Sequence, residues 1–176
     1  MKFNIAIDTC AIIHLMYIKR FYLLKELGYS VLTTIYVQLE FEKGHFNSKE
    51  YFFNLLNKGE IYCYPLEIDD LVEMANIPQS RQASDAELSC FVLAKRLGGK
   101  AMTDDGNAID YIQRYFSMPP ESVITLFDVL FEAYLTYWLL DHELRSIQST
   151  LGDKKFNFQY EDLASECARR RLMIKA

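Results

Sequence analysis

Two spacings of apolar residues take turns along the chain. Phe3-Asn4-Ile5-Ala6-Ile7 is a short run rich in β-branched residues and reads as a buried strand. It stops at Asp8-Thr9, which suits the start of a helix through residues 11–15. Residues 17–27 carry Phe21, Leu23, Leu24 and Leu27 at helical spacing and end at Gly28. Residues 30–36 (Ser-Val-Leu-Thr-Thr-Ile-Tyr) predict a second strand, and residues 37–43 a helix bearing Glu40. An amphipathic helix follows over 48–57, with Tyr51, Phe52, Leu55 and Leu56 as its stripe. A short strand over 61–65 and a helix over 68–75 come next, then a polar loop over 76–83.

Ser84-Asp85-Ala86-Glu87 is a capping box that opens a strongly apolar helix ending at Gly98-Gly99. Ala101-Met102 then runs into Thr103-Asp104-Asp105-Gly106. Further on, the pattern predicts a helix over 108–116, a strand over 123–126 and a very apolar helix over 127–140. An amphipathic helix antiparallel to it follows over 141–151, and a last helix over 160–173. Strands alternate with helices, so the expected class is α/β with a parallel sheet. The sheet is expected within residues 1–130, with 131–176 as a helical C-terminal extension packed on the same domain.

A chain of 176 residues is long enough for one real core. With 12 Tyr and 12 Phe, that core is bulky. No apolar run approaches the roughly 18 residues of a membrane span. The N-terminus lacks a signal-peptide pattern, so the expectation is a cytoplasmic protein away from the membrane. Cys10, Cys63, Cys90 and Cys167 are widely separated, which argues against a zinc site or a disulfide framework. Cys63 and Cys90 read as small core residues. A net charge of −5 disfavours a general nucleic-acid coating protein. It leaves room for a nuclease whose acidity is gathered in a metal site.

The acids fall at telling places. Asp8 follows the first strand, Glu40 lies on the helix after the second, Asp85 and Glu87 open the long helix, and Asp104-Asp105 follow the next strand. Each also has a plain structural role: N-cap, solvent-facing surface residue, capping box, turn. Strand ends of a parallel sheet share one edge, where ligand sites form. Carboxylates gathered there call for a divalent cation, and oxygen donors suit Mg²⁺ or Mn²⁺. Two such ions about 3.5–4 Å apart are the usual device for phosphodiester hydrolysis. The chain has no G-x-x-x-x-G-K-[ST] or G-x-G-x-x-G loop, which counts against nucleotide binding. Cys10 stands where an Asp-x-Asp phosphotransferase pair would need its second acid.

Taken in order, Ile7-Asp8-Thr9, Val37-x-x-Glu40, Asp85-Ala86-Glu87-Leu88 and Met102-Thr103-Asp104-Asp105 resemble the PIN domain. That family comprises metal-dependent nucleases, including the toxins of VapBC-type toxin–antitoxin pairs. The resemblance covers residues 1 to about 130. It implies a Rossmann-like α/β/α sandwich around a central parallel sheet, Mg²⁺ or Mn²⁺, and endonuclease activity on RNA, with Asp8, Glu40, Glu87 and Asp105 as the catalytic acids and 1–130 as the catalytic domain. At the third position Glu87 has the family register, and Asp85 is the more usual residue type. At the fourth, the Thr-x-Asp register points to Asp105, and Asp104 lies nearer the strand end. Thr9, Thr103 and Asn107 are expected to brace these acids. Phosphate contacts fall to Lys43, Arg81 or Arg114. Arg169-Arg170-Arg171 reads as a solvated face or a partner contact. An antitoxin protein covering the acidic site and a homodimer are the expected partners. The alternative reading is a PIN-like binding module without catalysis.

Overall fold

The structure, a computed structural model, describes residues 3–156 and 158–175. Strand β1 (Phe3–Ile7) is followed by helices α1 (Thr9–Ile18) and α2 (Tyr22–Glu26). Strand β2 (Tyr29–Thr33) leads to α3 (Ile35–Lys43) and α4 (Phe46–Asn57). The two-residue strand β3 (Tyr62–Cys63) precedes α5 (Ile68–Asn76) and α6 (Asp85–Arg96). Strand β4 (Lys100–Met102), helix α7 (Gly106–Tyr115) and strand β5 (Val123–Ile124) complete the sheet. The C-terminal helices are α8 (Leu126–Leu135), α9 (Asp141–Gly152) and α10 (Leu163–Lys175).

All pairings are parallel, and the five strands lie in the order β3-β2-β1-β4-β5. The expected α/β class is what the structure has: a parallel sheet flanked by helices, with further helices at the C-terminus. Ile5, Ala6, Ile7, Val31, Leu32, Ala101 and Met102 are all buried, as strands covered on both faces must be. The chain leaves β1 toward β2 on one side and returns at β4 on the other. The strand order therefore reverses between β1 and β4. In open α/β sheets the loops on the two sides of such a point diverge, and the crevice between them at the carboxyl edge is where ligands bind.

Helix α6 is the buried axis of the layer beneath this crevice. From Leu88 to Ala94 every residue is buried, which a helix tolerates only when other elements surround it. It packs against α3, α5, β1 and β4. The Cys90 thiol donates to the Ile7 carbonyl at 3.4 Å. The Ser89 and Thr34 hydroxyls are 2.6 Å apart, which pins the start of α3 to α6. These contacts bring the acids of both helices toward the end of β1.

Boundaries differ from the sequence pattern where the backbone turns. The helix expected over 17–27 is interrupted, because Lys19 adopts a left-handed conformation (φ 55°) that ends α1. The strand expected over 30–36 stops at Thr33, since Thr34 caps α3 with its hydroxyl. Tyr137 (φ 62°) breaks the long helix expected over 127–140. Helix α9 packs chiefly on α1 and α10, where the sequence suggested an antiparallel pairing with α8. Helix α8 runs across the expected boundary at residue 130 without a break. Cys63, expected in the core, is exposed because β3 is a short strand at the sheet edge. Among the described residues no helix is long and apolar enough to cross a membrane.

Candidate functional site

Asp8 is the first residue past β1 and the N-cap of α1. One carboxylate oxygen accepts the Ala11 amide at 2.9 Å, and the other accepts the Thr103 hydroxyl at 2.6 Å. The Cys10 thiol also lies on it, 3.1 Å from the nearer oxygen. Only 2% of Asp8 is exposed, and this burial pushes its pKa up to about 7. The hydrogen bonds from Thr103, Ala11 and Cys10 oppose that shift, and the charge of Asp104 adds to it.

Glu40 projects from the exposed side of α3, while Val37 and Phe41 hold the helix to the core. Its carboxylate accepts the Thr9 hydroxyl at 2.5 Å. Its neighbour Glu42 instead accepts the Gln38 side-chain amide at 2.9 Å. Glu87 lies in the first turn of α6 and accepts the Ser84 amide at 2.7 Å, closing the capping box foreseen in the sequence. Burial holds its carboxyl above the usual range, and the charges of Asp105 and Glu40 push the same way. Asp105 is the N-cap of α7, accepting the Asn107 and Ala108 amides at 2.9 and 3.1 Å. Its own amide donates to the Thr103 hydroxyl at 3.2 Å.

These links gather the four acids into a loose ring. Thr103 joins Asp8 to the Asp105 backbone by hydrogen bonds, and Glu87 lies near enough to Asp105 and Glu40 for their charges to raise its pKa. Thr9, next to Asp8 in the chain, returns to Glu40. Thr9 and Thr103 thus brace the acids, as the sequence reading expects. Asn107 joins through its backbone amide.

The doubled positions separate. Asp85 is exposed at the helix start, whereas Glu87, two residues on and so on another face, turns inward. Asp104 points away from the ring. One of its oxygens accepts the Leu126 amide, the first of α8, at 2.6 Å, and the other meets His14 Nδ1 at 2.7 Å. Its side chain is 3% exposed. His14 also stacks on Phe156, with ring centroids 4.2 Å apart. It is a satisfied core histidine, while His45 and His142 are exposed.

The ion pairs among the described residues involve none of Asp8, Glu40, Glu87 and Asp105. Every side-chain donor on them is neutral. An all-oxygen set of carboxylates with no cationic partner, two of them held above their ordinary pKa, fits a hard divalent cation by donor chemistry. It does not form a ready-made cage: among the described residues no three His, Cys, Asp or Glu side chains stand together as a metal site. Lys43, Arg81 and Arg114 are exposed. Arg169 and Arg170 bond to Glu166, and Arg171 bonds to Tyr137, so the basic run is engaged within the C-terminal helices and the segment before them.

Sequence reading missed Cys10 and His14 as neighbours of the site. They are i and i+4 on α1, one face of a helix that starts at an acid, and that spacing is the signal that could have found them. The Thr34–Ser89 bond had no such signal, because it joins residues 55 apart. No family model and no curated protein matches the chain; its parallel sheet of order β3-β2-β1-β4-β5 is compatible with PIN-like folds.

Proposed function

We propose that the protein is a divalent-metal-dependent endoribonuclease of the PIN type. The observation that supports this most is the ring of Asp8, Glu40, Glu87 and Asp105 at the strand-order reversal, with no basic side chain paired to it among the described residues. Mg²⁺ or Mn²⁺ bound by these carboxylates would supply an activated water and neutralise charge on the phosphate. Asp8 is the rigid member, held by three donors beneath the crevice. Thr103 orients both Asp8 and the backbone of Asp105. Glu40, exposed on α3, and Glu87, half-buried at the start of α6, complete the set. In this reading a toxin role is coherent, and a partner covering the acidic crevice would carry basic side chains.

The test is cleavage of single-stranded RNA with Mg²⁺ or Mn²⁺. Glu40→Gln and Asp105→Asn should each lose at least about tenfold to a hundredfold, the loss typical even for groups that only orient a ligand. Asp85→Asn should cleave like the unaltered protein. Equal cleavage by all of these proteins, or none by any, rules the reading out.

One observation favours a PIN-like binding module instead: each of the four carboxylates already has a neutral hydrogen-bond partner, and no cage is preassembled. Calorimetry separates the two readings. A nuclease takes up Mn²⁺ at millimolar concentration or below, and a binding module shows no heat.

A further inference from the structure

Beside the acidic ring, a cleft of about 500 Å³ opens between α7, the start of α8 and the segment before α10. Asp104 and Gly106 line it, and they flank Asp105 in the chain. The cleft therefore lies next to the backbone of Asp105. Four aromatic side chains, Phe127, Phe156, Phe158 and Tyr160, line its other walls. Phe127 and Tyr160 have centroids 5.0 Å apart, and Phe158 stands perpendicular to Phe156 at 5.1 Å. The Arg170 guanidinium lies 4.5 Å over the Phe127 ring and donates to the Tyr160 hydroxyl at 2.8 Å. A planar cation held against rings extends the stacking surface.

Two carboxylates at the rim, Asp110 and Asp128, keep acceptor oxygens free of partners among the described residues. Asp110 is exposed, with no hydrogen-bond or ion-pair partner among the described residues. Asp128 accepts from Thr125 through one oxygen, and its other oxygen has no bond among the described residues. Asp110 and Asp128 put negative charge at the rim, and the one cation lining the cleft among the described residues, Arg170, is already bonded to Glu166 and Tyr160, which makes the cleft a poor place for a phosphate. The two rim carboxylates suit a flat neutral ring whose edge donates hydrogen bonds.

We propose that this cleft is a nucleobase subsite. It takes one unstacked, amino-bearing base (adenine, cytosine or guanine) of a single-stranded RNA whose backbone reaches the acidic ring. The identity of the ligand as RNA rests on the nuclease reading above. Stacking on aromatic rings supplies affinity, and the rim carboxylates accept from the exocyclic amine, which uracil lacks. Duplex RNA is excluded, because its bases are already stacked and paired.

The full chain is titrated with AMP, CMP and UMP in Mg²⁺ buffer, and the backbone amides of Gly106 and Gln159, both cleft residues, are followed by NMR. AMP and CMP are expected to shift these amides, with UMP several-fold weaker. Phe158→Ala is expected to weaken AMP about tenfold, and Phe158→Tyr, which keeps the ring, to restore it. If Phe158→Ala does not fold, Gly106→Leu serves: a Cβ at Gly106 meets nothing within 4 Å, and the added side chain narrows the cleft mouth. No shift at the cleft amides, equal affinity for the three nucleotides, or binding unaltered by these variants overturns the proposal. Shifts that follow protein concentration and not nucleotide would assign the cleft to a second copy of the chain and overturn it as well. Mononucleotides contain no phosphodiester bond to cut. Failure here therefore leaves the nuclease reading standing, and absence of RNA cleavage leaves this result standing.

Discussion

Asp8 holds a carboxylate where a carboxylate is costly. Its pKa near 7 when folded compares with about 3.9 for an unfolded chain. Below about pH 4 both states are protonated and folding is not penalised. Between about 4 and 7 the unfolded state ionises first, so stability falls as pH rises, and it levels off above 7. The full effect is about 4 kcal/mol at 1.36 kcal/mol per unit. Denaturant unfolding in EDTA should therefore show stability declining from pH 5 to pH 8. Asp8→Asn should flatten that decline and be the more stable protein at pH 8. An equal decline in both proteins would remove the strain from Asp8. Asp104 shows the opposite economy: an acid in the same turn is consumed by a helix amide and a histidine, so the neighbouring letters of Asp104-Asp105 do different work.

At the scale of elements, helix termini aim the site. Asp8 caps α1, Asp105 caps α7 and Glu87 closes the box at α6, so the same bonds that start three helices orient three acids. The join from α6 to β4 is equally constrained. Gly98 takes φ 60°, and the Gly98 and Gly99 amides reach back to the Lys95 and Ala94 carbonyls, a Schellman ending. A Cβ on Gly99 would stand 2.5 Å from the Asn4 carbonyl oxygen of β1. Gly99→Ala should accordingly cost about 1–3 kcal/mol by thermal or denaturant unfolding. It pushes β4 from β1 at the strand-order reversal, so it should also lower RNA cleavage. A variant as stable as the original would show that β1 and β4 do not need this close approach.

For the whole molecule, the crevice follows from topology. Asp8 and Asp105 come from the adjacent strands β1 and β4, and the buried helix α6 brings Glu87 under the same edge. The C-terminal helices build outward from α1: Leu144, Ile147 and Leu151 of α9, which packs on α1, are buried, and so are Leu163, Ala164 and Cys167 of α10, which packs on α9 and α8. A cation that binds only the folded chain must stabilise it. At a hundredfold excess over Kd, Mg²⁺ or Mn²⁺ should add about 2.7 kcal/mol. That is a rise of several degrees in Tm for a chain of this size. The rise should grow from pH 5.5 to 8, since ion binding needs the ionised acids, and Glu40→Gln should reduce it. No rise at any pH would count against a metal site at the ring.

The sequence by itself determined the parallel α/β class, the order of its elements and the four places where acids stand, because apolar spacing and capping residues are local signals. Ser84 with Glu87, and Asp8 before an apolar helix, announce themselves within four residues. Local signals could not choose between Asp104 and Asp105, nor find the Thr34–Ser89 bond or the partners that Cys10 and His14 meet. Those depend on which strand lies beside which. Only the return of the chain across β1 to β4 decided them, since it set Thr103 against Asp8 and turned Asp104 toward α8.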